Sequence, residues 1–234
     1  MIVEDFLRAL RQLPDPRFTS VLLTGLALTV ALLVGIYWVF ALIVGWAIPE
    51  TLTLPWIGDI SGVSTAIGWA AIPVMLIASA FLMIPVASAF TGIFLDRIAA
   101  AVEDRHYPDL PPARSVGIVE GIADGLKFMA VLIAVNLLAL IVYIFFAPLA
   151  PLIFWGVNGV LLGREYAQLV ALRRLDAAGA SAFRRRHRVQ IFAAGVLMVV
   201  PLTIPVVNLL VPILGAATFT HLFHRLTSTG RQNE

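Results

Sequence analysis

Residues 128–163 read FMAVLIAVNLLALIVYIFFAPLAPLIFWGVNGVLLG, 36 residues between Lys127 and Arg164 with no Asp, Glu, Lys, Arg or His. As one unbroken helix the stretch would run about 54 Å, far beyond a bilayer core of about 30 Å. The run Phe145, Phe146, Ala147, Pro148, Leu149, Ala150, Pro151 divides it near the middle. Proline removes a backbone donor and clashes with the preceding turn, so the helix breaks there. Two arms of about eighteen residues result, which reads as a tight transmembrane hairpin or a re-entrant one.

Downstream, Val189 to Thr220 forms a 32-residue uncharged block containing Pro201, Pro205 and Pro212. Its first arm, Val189 to Val200, would rise only about 18 Å as helix, too little to cross. The reading is a re-entrant hairpin with its tip at Pro201 to Pro205. Backbone left bare at such a tip finds no partner in lipid, so it is expected to be buried in protein or to line a water-filled cavity. Pro148, Pro151 and Asn158 in the first hairpin match Pro201, Pro205 and Asn208 in the second, a weak internal repeat.

Upstream lie 32 uncharged residues between Arg17 and Glu50 and 36 between Asp59 and Asp96. The spacing predicts membrane helices over 21–47 and 63–84, joined by a loop carrying Pro49, Pro55, Gly58 and Gly62, with Pro85 ending the second. Phe90, Phe94 and Ile98 continue at four-residue spacing while Asp96, Glu103 and Asp104 lie elsewhere around the helix, as in a helix leaving the membrane. After a turn at His106 to Pro112, the apolar spacing of Val119, Ile122, Leu126 and Met129 predicts a helix lying on the surface.

Composition supports this organisation. The chain of 234 residues is 60% apolar and 13% charged, with a mean hydropathy of +0.96, whereas soluble domains carry about 25% charge. A soluble globule is excluded. A formal net charge of +2 is too small to argue for nucleic-acid binding, and the absence of cysteine excludes disulfides and thiolate chemistry. All 16 Lys and Arg fall in four places: before Val21, from Arg97 to Lys127, from Arg164 to Arg188, and after His221. By the positive-inside rule those places share the cytoplasmic side with both termini.

The expected fold is an all-α polytopic membrane protein, with two long transmembrane helices and two proline-broken helical hairpins, at least the last one re-entrant. It forms one integral membrane domain over 1–234. A cytoplasmic segment over 1–17 precedes the helices at 21–47 and 63–84. A cytoplasmic helical region over 86–127, the first hairpin over 128–163 and a basic cytoplasmic segment over 164–188 follow. The second hairpin occupies 189–220, and 221–234 is a cytoplasmic tail.

Little in the sequence suggests bond-making chemistry. The four uncharged blocks hold none of the ionisable groups that mark proton relays, and Ser79 and Ser88 have no neighbouring base. No catalytic residue, metal site or cofactor is expected. His221 and His224, three apart beside Arg225, fit interfacial residues better than metal ligands. Asn136, Asn158 and Asn208 are polar groups at membrane depth, suited to bonding a helix or to lining a path. Arg184, Arg185, Arg186 and Arg188 form the densest cationic run, which either meets lipid headgroups or makes an electropositive vestibule for an anion.

The sequence also resembles a known family. A basic N-terminus ending in Pro16, Arg17 and Phe18, two long helices, a turn to Asp96 and two proline-broken hairpins are similar to the CysZ sulfate-permease family of bacterial inner membranes. The local matches run from Asn158 and Gly159 through Arg164, Glu165 and Tyr166, and from Pro205 and Asn208 through Pro212 and Gly215. The resemblance implies hemi-penetrating hairpins, homo-oligomeric assembly, and sulfate uptake across the inner membrane for cysteine biosynthesis. It also implies anion binding at Arg17, although the family's Gly-Leu-Arg pattern is here Asp15, Pro16, Arg17. Sulfate or a similar oxyanion and the phospholipid bilayer are the expected partners, with Asn158, Pro201, Pro205 and Asn208 along the pathway. The alternative is a non-transporting membrane interaction or scaffold protein.

Overall fold

The computed structural model describes residues 2–47, 51–54, 58–61, 69, 94–114 and 118–231. The expected helix over 63–84 and the break at Pro85 lie outside the described residues, apart from Trp69. Eight helices are described: α1 (Ile2–Arg11), α2 (Pro16–Ala47), α3 (residues 94–106), α4 (Ile118–Phe145), α5 (Ala150–Leu172), α6 (Ala177–Arg186), α7 (Arg188–Leu202) and α8 (Val211–Arg231). A short antiparallel hairpin, β1 (Thr51–Leu54) with β2 (Gly58–Ser61), pairs Thr51 with Ser61 and Leu54 with Gly58. Among the described residues the protein is all-α apart from this ribbon.

The chain separates into two compact units, one of residues 1–22 and 91–234 and the other of 23–90. In the second, α2 continues from its start in the first, and most of its described side chains are exposed. Pro16 opens α2 at the position where a missing N–H costs nothing, and the Asp15 carboxylate accepts from the Arg17 amide at 3.0 Å, capping the helix.

The first unit holds the core. Phe18, Ile98, Val102, Met198, Leu214, Phe219 and Leu222 are almost fully buried, drawn from α2, α3, α7 and α8. Each such side chain contributes about 1.5–3 kcal/mol. Helices α5 and α7 approach closely, and three glycines explain the approach. A Cβ on Gly163 would stand 2.6 Å from the Ile191 carbonyl oxygen, and one on Gly195 would overlap the Gly159 carbonyl. Small residues let backbones meet where apolar side chains have no water to escape.

Among the described residues, three helices are long and apolar enough to cross a bilayer: Pro16–Ile43, Gly125–Phe145 and Val207–Ser228. The first two are 0% and 6% buried inside the structure, whereas the third is 72% buried. A multi-pass membrane protein follows, with the first two helices lipid-facing and the third largely enclosed by protein.

Both hairpins turn through a short 3-10 segment, Ala147–Leu149 and Val207–Leu210. Their arms run beyond the uncharged blocks. Helix α4 begins at Ile118 and crosses Lys127 without interruption, so the expected surface helix and the first hairpin arm are one helix of 28 residues. Helix α5 likewise passes Arg164 and Glu165 before ending at Leu172. Charged residues at these points end an apolar block but not a helix, since Lys, Arg and Glu are good helix formers. The arm α7, with 15 residues, rises only about 22 Å.

Candidate functional site: a buried ionic centre

The most concentrated polar chemistry in the structure lies around Glu103, near the end of α3. Asp96 and Glu103 are seven residues apart, so two helical turns align them on one face. The turn after α5 brings Arg173 and Arg174 against that face. Arg173 donates to Asp96 Oδ1 at 2.7 Å and to Glu103 Oε2 at 3.0 Å. Arg174 reaches Glu103 through Nε at 2.9 Å and Nη2 at 2.7 Å. His224 of α8 adds Nε2 at 3.0 Å from Glu103 Oε1. Two carboxylates thus face two guanidiniums, and Glu103, Arg173 and His224 are all buried.

Burial by itself would raise the Glu103 carboxyl, but hydrogen bonds from His224, Arg174 and Arg173 outweigh it and hold the group at about 2. It is therefore a carboxylate at any physiological pH. A charge buried with this many donors is compensated, and removing one partner would leave the others desolvated.

A ring cluster adjoins the ions. Tyr107 Oη lies 3.1 Å from His221 Nδ1, the Tyr107 and His224 ring centroids are 4.5 Å apart, and His106 meets His221 edge-on at 4.9 Å. Burial first, then the charges of Arg105 and Arg8, lowers the His106 pKa and favours its neutral form. The strand of chain after Tyr107 is strapped over the centre: the Arg114 amide donates to the Arg173 carbonyl at 2.8 Å, and Arg174 Nη1 donates to the Pro111 carbonyl. Arg173 Nε is buried without a hydrogen-bond partner, and Arg173 also lines a cavity, with Asp96, Tyr166 and Ala216, that has room for about one water molecule.

Sequence reasoning placed the candidate residues elsewhere. Arg17 lies outside the ionic centre and is exposed, with Nη1 donating to Asp104 Oδ2 at 2.7 Å. Asn158 Nδ2 donates to the Phe154 carbonyl of its own helix at 2.8 Å, and Asn136 does the same to Leu132 at 2.8 Å. Pro201 is buried inside the last turn of α7, whereas Pro205 and Asn208 are exposed at the tip. The tip amides of Thr203, Ile204, Val207, Asn208 and Leu209 all find carbonyls within the turn, so this backbone satisfies itself locally. Its large exposed side chains are the apolar Ile204, Val206 and Leu209, beside the polar Thr203 and Asn208.

Arg184, Arg185 and Arg186 close the last turn of α6, where they face the negative end of its dipole. Arg188 opens α7, and Arg185 donates to Ser181 at 3.2 Å. His221 and His224, read from sequence as interfacial, are instead 0% and 8% exposed. No group of three or more His, Asp or Glu that could hold a metal ion occurs among the described residues.

The family model described as sulfate transporter CysZ/etoposide-induced protein 2.4 matches residues 5–212. The chain belongs to this family. The match takes in Glu103, Arg173 and Arg174 and stops short of His221 and His224. No individual curated protein matches the chain.

Glu103, Arg173 and Arg174 were not singled out together by sequence reasoning. The available signal was the seven-residue interval from Asp96 to Glu103, opposite an adjacent Arg173–Arg174 pair of equal and opposite charge.

Proposed function

We propose that this chain is a channel-like permease for a small inorganic oxyanion, sulfate foremost, acting in the bacterial inner membrane with both termini in the cytoplasm. Membership of the sulfate transporter CysZ/etoposide-induced protein 2.4 family is the observation that carries this reading. The placement of all 16 Lys and Arg outside the four uncharged blocks supports the orientation. The second hairpin re-enters from the cytoplasmic side, a reading supported by the 15-residue length of α7 and by the exposed apolar side chains at its tip. Asn158, Pro201, Pro205 and Asn208 belong to the proposed pathway, and the arginines from Arg184 to Arg188 form its cationic approach or rest on lipid headgroups. Cysteine biosynthesis is the proposed destination of the sulfate, and a homo-oligomer the proposed assembly.

Uptake of labelled sulfate into proteoliposomes holding only this protein tests the reading. Saturable uptake that competes with related tetrahedral oxyanions, and not with chloride, is the expected result. Protein-free background rates from correctly inserted protein would favour a scaffold.

A further inference from the structure

Helix α1 has two apolar faces with different fates. Ile2, Phe6 and Ala9 pack into the core of the first unit. Asp5, 2% exposed, accepts from Arg225 of α8 at 2.7 and 3.1 Å, which pins this face of α1 to the last helix. Val3, Leu7 and Leu10 stay outside, 58%, 41% and 41% exposed. At 3.6 residues per turn these three fall within an arc of about 60°, and Glu4, Arg8 and Arg11 lie on the flank turned away from the core.

Scattered exposed leucines are ordinary, but here the residues form a stripe edged by cations. Arg8 pairs with Glu4 at 2.6 Å in an exposed contact of the kind that contributes little, and Arg11 has no ion-pair partner among the described residues. The position of the helix supplies the occupant. Four residues separate Arg11 from Pro16, where the first lipid-facing helix begins. Chain of that length cannot carry the end of α1 more than about 18 Å from the start of that helix.

We propose that α1 lies in the plane of the membrane interface, with Val3, Leu7 and Leu10 entering the acyl boundary and Arg8 and Arg11 meeting the phosphates of anionic lipid headgroups. An apolar stripe with flanking arginines is the composition such helices need, and each basic residue near an anionic surface strengthens the attraction. Through Asp5 and Arg225 the lipid surface then bears directly on α8.

The test uses the full-length chain, which has no cysteine of its own. Single cysteines at Leu7, Val3 and Glu4 are labelled with a nitroxide, and the protein is reconstituted in phosphatidylcholine vesicles with and without phosphatidylglycerol. The expected ratio of oxygen to aqueous nickel-complex collisions is several-fold higher at positions 7 and 3 than at position 4. The contrast grows with phosphatidylglycerol, and that growth disappears in the Arg8→Gln, Arg11→Gln background. Equal nickel access at positions 7 and 4 in both lipids would overturn the proposal. So would dipolar broadening between labels at position 7, which would assign the stripe to a second copy of the chain. A lipid response unchanged by the arginine substitutions would overturn the headgroup contact. The Val3 label guards against a local defect at Leu7.

Discussion

The backbones of Gly159 and Gly195 touch: a Cβ built on Gly195 would overlap the carbonyl oxygen of Gly159 and stand 2.8 Å from the amide nitrogen of Gly163. No side-chain rotation relieves this, because the obstacle is main chain. Gly195→Ala is therefore expected to force α5 and α7 apart and to destabilise the protein by about 1–3 kcal/mol. Gly156, one turn away on α5, has open space where its Cβ would be. Gly156→Ala is expected to be neutral or to stabilise by up to about 1 kcal/mol through helix propensity. Thermal unfolding in detergent compares the two; equal losses would mean that the helices do not meet at these glycines.

The Glu103 centre predicts an acid limit. Its folded carboxyl is held at about 2 against an ordinary value of 4.5, so the unfolded chain takes up the proton first as pH falls. The stabilisation is complete above about pH 4.5 and lost towards pH 2, on the order of 3 kcal/mol. Glu103→Gln removes the negative charge but keeps the shape. It is expected to lower the melting temperature at pH 7, since buried Arg173 then keeps Asp96 as its carboxylate partner while Arg174 loses its own, and to flatten the stability profile between pH 4.5 and pH 2. A profile as steep as the wild type's in that window would place the titrating group elsewhere.

What the sequence made legible follows from which forces leave a local trace. Hydrocarbon excludes charge, so the apolar blocks around 128–163 and 189–220 could be read directly, and prolines at 148, 151, 201 and 205 marked the turns because they remove donors wherever they stand. Helix ends were less legible: Lys127 and Arg164 bound an apolar block, yet α4 and α5 run through them. The ionic centre left almost no trace. Glu103 finds Arg173 and His224 across 70 and 121 residues, and no periodicity links such partners. Gly159, Gly163 and Gly195 were visible as residues, but their meaning lies in the opposing backbone.

Val206, at the tip of the second hairpin, has a φ of 68°, the only positive value at a non-glycine among the described residues. A β-branched side chain in that region clashes with its own backbone, at a cost of about 1–2 kcal/mol. Val206→Gly is expected to raise stability by about 1 kcal/mol, less whatever the exposed valine gains from lipid. Matched melts in detergent and in vesicles separate the two contributions, and a loss in both would show that the tip is not strained.

Orientation can be read with single cysteines. With the Lys and Arg inside, a cysteine at Thr53 is expected to react with an impermeant thiol reagent from outside, and one at Ser181 only after permeabilisation. A cysteine at Thr203 reports the depth of the second hairpin. If α7 stops within the bilayer, Thr203 labels from outside far more slowly than Thr53; equal rates would mean that the arm crosses.

Arg17 is the residue on which anion binding can be decided, and its present contacts set the terms. Its amide is held by Asp15 Oδ1 at 3.0 Å and its guanidinium by Asp104 Oδ2 at 2.7 Å, so two carboxylates occupy the donors that an oxyanion would need. The Asp104 pair is exposed on both sides, 60% and 66%, and such pairs are worth about 0–1 kcal/mol, which a bound dianion can readily displace. If Arg17 receives sulfate, Asp104→Asn removes a competitor and should tighten binding by about threefold to tenfold, with the gain shrinking as salt screens the site. Arg17→Lys keeps the charge that fixes topology but loses the planar fork, and should weaken binding; Arg17→Ala should weaken it further. Isothermal titration with sulfate on the detergent-purified variants measures all three. Wild-type affinity in Asp104→Asn and in Arg17→Ala, with correct insertion, would leave Arg17 as a topological charge paired across the α1–α2 turn to α3.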